Sequence, residues 1–117
     1  MIKILLIDDD EDMLAMTGRW LEKAGYEVIK ASSGSAALDL LGKDVPALIL
    51  LDYAMPVMNG PSVLQAIRSN DAYKNIPVLY RTGMDDTDLE GDELVNGVVP
   101  KSEGKPYLLK AISKVLG

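Results

Sequence analysis

Two stretches of the chain, Ile4–Ile7 ("ILLI") and Ala47–Leu51 ("ALILL"), contain no polar residue, and each stops at an aspartate, Asp8 or Asp52. A strand with one wet face would alternate apolar and polar side chains. Unbroken apolar runs instead fit strands covered on both faces, as in parallel sheets. Parallel neighbours cannot be joined by a tight hairpin, so crossover segments must lie between them.

The sequence supplies such crossovers. Strands are predicted at Met1–Ile7, Tyr26–Lys30, Ala47–Leu51, Ile76–Tyr80 and Val98–Pro100. Helices are predicted at Glu11–Ala24, Ser35–Leu41, Pro61–Ser69 and Lys105–Leu116. In the first helix Leu14, Leu21 and Ala24 recur at helical spacing, with Met13, Met16 and Trp20 alongside, and Gly25 is a natural stop. Ser32 or Ser33 would cap the second helix. Pro61 is tolerated in the first turn of the third, where its missing N–H is not needed. Val63, Leu64 and Ile67 form one inward face; Leu108, Leu109, Ile112, Val115 and Leu116 form another. Residues 84–96 follow no period, and Gly91 would cost a helix there about 1 kcal/mol. A frayed or shortened helix is the expectation for that segment.

Strands alternating with helices give an α/β fold, expected as one domain over residues 1–117. Five such units suit a doubly wound, five-stranded parallel sheet of flavodoxin-like order 2-1-3-4-5. The winding reverses between the first and third strands, and ligands bind beyond the carboxyl ends at that point. Asp8–Asp10 and Asp52 sit at those two ends.

Composition then narrows the chemistry. There is no cysteine and no histidine. That removes disulfides, thiolate nucleophiles, Cys-based zinc sites, imidazole bases and any phosphohistidine of the chain's own. The net charge of -6 argues against direct nucleic-acid binding. Six acids (Asp85, Asp86, Asp88, Glu90, Asp92, Glu93) and no base fall in residues 83–100, so the excess belongs to one segment. No apolar run approaches the ~20 residues of a membrane span, no secretory signal is present, and a cytoplasmic location without membrane insertion is expected.

Carboxylates packed together raise one another's pKa unless a cation intervenes. For Asp8, Asp9 and Asp52 a hard divalent ion with oxygen ligands resolves the repulsion, and magnesium suits one or two carboxylates with water. Helix capping or plain solvation is the bland alternative for these acids. Thr82 and Lys101 follow the fourth and fifth strands and point to the same rim. Alone, they read as a turn residue beside Gly83 and a solvated lysine. Together with a metal they would make an anion site suited to phosphoryl oxygens.

Four stretches, "LLIDDDEDM", "LILLDYAMPVMNG", "PVLYRTG" and "VVPKS", resemble in order the signatures of response-regulator receiver domains. The run Asp52–Gly60 matches the family pattern D-x-x-M-P-x-M-x-G. The resemblance implies a non-enzymatic signalling module in which Asp52 is the phosphoacceptor, receiving its phosphoryl group from a histidine kinase or histidine phosphotransfer protein. It also implies magnesium bound by Asp9, Asp52 and the main-chain carbonyl of Ala54, with Asp8 acting through water. Lys101 would neutralise charge in the transfer, and Thr82 would bond the phosphoryl group and draw its loop inward. Met55, Pro56 and Gly60 would shape the loop. Asp10 reads apart from the others, as a helix cap.

Some positions depart from the family. Val98 stands where an aromatic usually rotates on activation, so no aromatic switch is expected from it, and neither Tyr80 nor Tyr107 takes its place. Ser102 replaces a usual cis-proline, and a trans bond is expected because a cis bond would cost ~2.5–4 kcal/mol. The Thr82–Lys101 interval is short, and "YRTGM" resembles a group of stand-alone receivers with a reduced fourth helix. Residues 84–96 are accordingly expected to be ordered by phosphorylation or a partner. Ala54 and Met84 are apolar where the family tunes water access, which predicts slow loss of the phosphoryl group. A stand-alone module and a receiver cut from a longer regulator both fit the ends of the chain. Two other readings compete: an aspartyl-phosphate phosphatase of the haloacid dehalogenase type, and a pseudo-receiver that only docks partners.

Overall fold

Ile4–Ile7 and Leu48–Leu51 are buried, as two-sided coverage requires, whereas Ala47 is exposed and the third strand starts and ends one residue later than predicted, taking in the buried Asp52. A computed structural model describes residues 1–83 and 94–117. In chain order the elements are β1 (Lys3–Ile7), α1 (Glu11–Lys23), β2 (Glu27–Ala31), α2 (Gly34–Leu41), β3 (Leu48–Asp52), α3 (Gly60–Arg68), β4 (Val78–Thr82), β5 (Gly97–Pro100) and α4 (Lys105–Leu116). The five strands form one sheet in the order β2-β1-β3-β4-β5, and every pair is parallel. This is the predicted flavodoxin-like order.

Alternation along the strands splits the core into two layers. Leu5, Ile7, Ile49, Leu51, Val78 and Tyr80 pack with Ala37 and Leu41 of α2 and with Val63, Leu64 and Ile67 of α3. Ile4, Leu6, Leu48, Leu50, Leu79 and Val99 pack with Leu14 and Leu21 of α1 and with Leu108 and Ile112 of α4. Each fully buried aliphatic side chain contributes about 1.5–3 kcal/mol, so both layers hold the sheet.

Local chemistry explains the helix ends. Asp10 caps α1, accepting from the N–H groups of Asp12 at 3.0 Å and Met13 at 3.2 Å. Ser33, rather than Ser32, caps α2 by accepting from Ala36 N–H. Asn59 caps α3, with Pro61 in its first turn. Gly25 follows α1 with a φ of +97°, a left-handed stop that favours glycine.

Several boundaries differ from expectation. Strand β1 starts at Lys3 because Met1 and Ile2 are exposed. Ala24 is an exposed C-cap, and Thr17 and Gly18 share the inward face of α1 instead. Strand β4 begins and ends two residues later than predicted, taking Arg81 and Thr82 into the sheet. The start of β4 is fixed from α3. Arg68 donates to the carbonyls of Leu94 (2.8 Å), Lys74 (3.0 Å) and Ile76 (2.8 Å) and to Asn96 Oδ1 (3.2 Å). Asn96 Oδ1 in turn accepts from Val78 N–H at 2.9 Å.

The Lys101–Ser102 bond is trans, as expected, with no cis bond among the described residues. The shortened helix expected over 84–96 lies, for residues 84–93, outside the described residues, as does Met84. No described helix is long and apolar enough to cross a membrane.

Candidate functional site

Asp8 and Asp52 keep the alternation of their strands and so project on the α1/α4 side of the sheet. Pairing of Ile7 with Leu51 places Asp8, one residue on, beside Asp52. They are only 1% and 3% exposed, which excludes the bland reading of solvated acids. Asp9 is exposed above them, and one carboxylate oxygen from each of the three lies within 4.8 Å of the others.

Lys101, just past β5, brings the nearest counter-charge. Its Nζ lies 3.1 Å from Asp8 Oδ2 and 3.3 Å from Asp52 Oδ1. Its backbone N–H donates to the Thr82 carbonyl at 2.7 Å, so the ends of β4 and β5 are tied at the rim. Thr82 is buried as the last residue of β4, paired with Pro100, and is not a turn residue. Asp8 also accepts from Asp10 N–H at 2.9 Å, which fixes its carboxylate as the chain turns into α1. Asp10 itself points away into its capping role.

Electrostatics follow from this crowding. Burial, then the charge of Asp8, pushes the Asp52 carboxyl up to about 7, with Asp9 adding to the rise while Lys101 opposes it. One ammonium therefore does not neutralise three convergent carboxylates. A hard divalent cation fits the donor set, which is all oxygen and holds no imidazole or thiolate. Asp8, Asp9 and Asp52 are the side chains able to hold it, and Ala54 lies exposed two residues beyond Asp52.

The loop after β3 is held tightly. Met58 N–H donates to the Pro56 carbonyl at 2.7 Å, closing a γ-turn on Val57, whose φ is +67°. That conformation is strained for a β-branched residue. Gly60 N–H donates to the Tyr53 carbonyl at 2.8 Å, folding the loop back on the end of β3. Tyr53 also meets Tyr80 edge-to-face, with ring centroids 5.3 Å apart. Tyr80 is fully buried in the core, and Val98 packs at the edge of the same layer.

Residues 4–113 match the family model of the response regulator receiver domain. The chain belongs to this family. As a receiver domain of two-component signalling it is 33% identical over 112 residues to an uncharacterized transcriptional regulatory protein, YrkP, of Bacillus subtilis. That alignment covers 96% of this chain and 44% of the relative. It is 46% identical over 68 residues to the transcriptional regulatory protein CpxR of Escherichia coli, covering 58% of this chain and 29% of CpxR. The receiver chain thus spans less than half the length of these relatives. Among solved structures it is similar to the chemotaxis protein CheY4 of Vibrio cholerae, with TM-score 0.92, 33% identity and 98% of each chain covered. Receiver domains as a family bind magnesium at an acidic pocket and act as signalling modules.

One residue at this site was missed from the sequence. Arg81 pairs in register with Asp52, is 1% exposed, and feels the charges of both Asp8 and Asp52. The available signal was a lone charge inside an otherwise apolar run directly before Thr82.

Proposed function

We propose that residues 1–117 form one receiver domain whose phosphoacceptor is Asp52. The observation that carries this is the buried Asp52 carboxylate at the end of β3, flanked by Asp8 and met by Lys101 at 3.3 Å. A partner histidine kinase or histidine phosphotransfer protein presents a phosphohistidine, since the chain has no histidine. An Asp52 oxygen attacks phosphorus, the new O–P bond forms, the P–N bond breaks, and the imidazole leaves on the partner. Asp9, Asp52 and the Ala54 carbonyl would hold magnesium, with Asp8 acting through water. When bound, the ion supplies positive charge against the phosphoryl oxygens. Lys101 balances the charge that develops on those oxygens, and Thr82 offers a hydroxyl to the acquired group. The new bond at Thr82 draws the end of β4 toward Asp52, a local charge event with a conformational readout for a downstream protein. The module turns over no substrate, works in the cytoplasm and makes no direct contact with nucleic acid.

The test is incubation with magnesium and acetyl phosphate, followed by intact-mass measurement. One phosphoryl group is expected on the wild type and none on Asp52→Asn. Incorporation that survives the substitution overturns the assignment.

A further inference from the structure

Arg81 is the largest fully buried side chain among the described residues. Its Nη1 donates to Thr17 Oγ1 of α1 at 2.8 Å, while Nε and Nη2 have no hydrogen-bond partner among the described residues. A buried guanidinium with two unused donors is a poor packing element. An apolar side chain of similar volume would hold the layer at least as well. What compensates the charge lies in the same register row. Asp52 is the direct cross-strand neighbour of Arg81 on the same face, and Asp8 follows on β1. Burial weakens the hold of the guanidinium on its proton, and the two carboxylates strengthen it.

The acidic cluster therefore has two cations beside it: Lys101 at the rim and the buried Arg81 in register with Asp52. Above about pH 7, where Asp52 is ionised, three carboxylates against two bases leave one net negative charge. A divalent ion makes the site net positive by one. A phosphoryl group, which raises the charge on Asp52 to about -2, returns it to neutrality. Without Arg81 each of these states would be one unit more negative.

We propose that Arg81 is a positioning residue for the acidic site: a permanent internal counter-charge, anchored by Thr17, that weakens cation binding and neutralises the phosphorylated, metal-bound state. This rests on the reading of Asp8, Asp9 and Asp52 as the magnesium site. Its sign separates it from a structural role. Loss of a purely structural residue loosens the site and weakens metal binding. Loss of a counter-charge strengthens it, because a cation no longer opposes the incoming one.

The test is calorimetric titration with magnesium in mildly alkaline buffer on the wild type, Arg81→Met and Arg81→Lys, each checked for cooperative melting. Arg81→Met is expected to lower the magnesium Kd by about tenfold or more, and Arg81→Lys, which keeps the charge, to stay near the wild type. A folded Arg81→Met with unchanged or weaker affinity overturns the proposal. A second measurement needs no variant: the Arg81 Nε–H resonance of the wild type is expected to shift with magnesium along the same isotherm, and a resonance that does not move overturns the proposal as well. A wild type that binds no magnesium overturns the proposed function together with this inference, whereas binding without the Arg81 effect overturns the inference alone.

Discussion

Gly60→Ala should destabilise the domain although it places the best helix former in the first residue of α3. A Cβ at Gly60 would sit 2.7 Å from the Asp52 carbonyl oxygen, 2.8 Å from Tyr53 Cα and 2.9 Å from the Tyr53 carbonyl oxygen. Favourable contact begins near ~3.5 Å. All three neighbours are backbone, so none can rotate away, and the loop must lift from the end of β3. Overpacking of this kind costs about 1–3 kcal/mol. Stretching the Gly60–Tyr53 hydrogen bond costs about 1 kcal/mol more. The intrinsic preference of helices for alanine returns about 1 kcal/mol. The net loss is about 1–3 kcal/mol, or a fall in Tm of about 3–6 °C per kcal/mol. Urea denaturation gives the stability, and acetyl phosphate incorporation at a temperature where both proteins are folded gives the function. Incorporation should fall as well, because the displaced backbone carries Asp52. A Gly60→Ala protein as stable as the wild type, or more stable, would refute the steric argument.

Asp10→Ala should cost about 1 kcal/mol in denaturant melts through loss of its cap while leaving phosphorylation intact, whereas Asp9→Ala should abolish magnesium-dependent phosphorylation with little change in stability. Magnesium at 100 times its Kd should stabilise the wild type by about 2.7 kcal/mol, a gain read by calorimetry and absent in Asp9→Ala. Arg68→Ala should cost about 1–3 kcal/mol because it removes the side-chain donor to the part-buried Ile76 carbonyl; urea melts would check this. The Ala54 methyl cannot orient a water, so the phosphoryl group should be lost slowly and Ala54→Asn should change the rate of loss. Rapid loss from the wild type, unaltered by Ala54→Asn, would contradict that.

The fold was legible because burial on both faces writes itself as uninterrupted apolar runs. "ILLI" and "ALILL" mark the strands β1 and β3, and the topology they imply already puts Asp8 beside Asp52. Thr82 and Lys101 were legible through position: one ends β4 and the other directly follows β5 at the same rim, and each was ambiguous alone. The predicted fourth strand stopped at Tyr80, short of the charged Arg81, whereas β4 runs through Thr82. A charge is normally a sound marker of solvent. It failed here because the long arginine side chain runs under α1 to Thr17, a residue whose hydroxyl gave no reason to expect a partner in β4. Ala24 misled in the opposite way: its helical spacing was right, but α1 had already ended at Lys23. The strain at Val57 left no trace in composition, because it comes from the closure of the loop onto Tyr53 rather than from any residue preference.

Asp52, and no other carboxylate of the cluster, is the proposed acceptor of the phosphoryl group. Residue-level mapping tests it most directly: phosphorylate with acetyl phosphate and magnesium, trap the acyl phosphate by reduction, digest, and sequence the modified peptide by mass spectrometry. Modification at Asp52 alone is expected. Modification at Asp8 or Asp9 would contradict it, and Asp8 in particular would shift the chemistry toward the phosphatase reading.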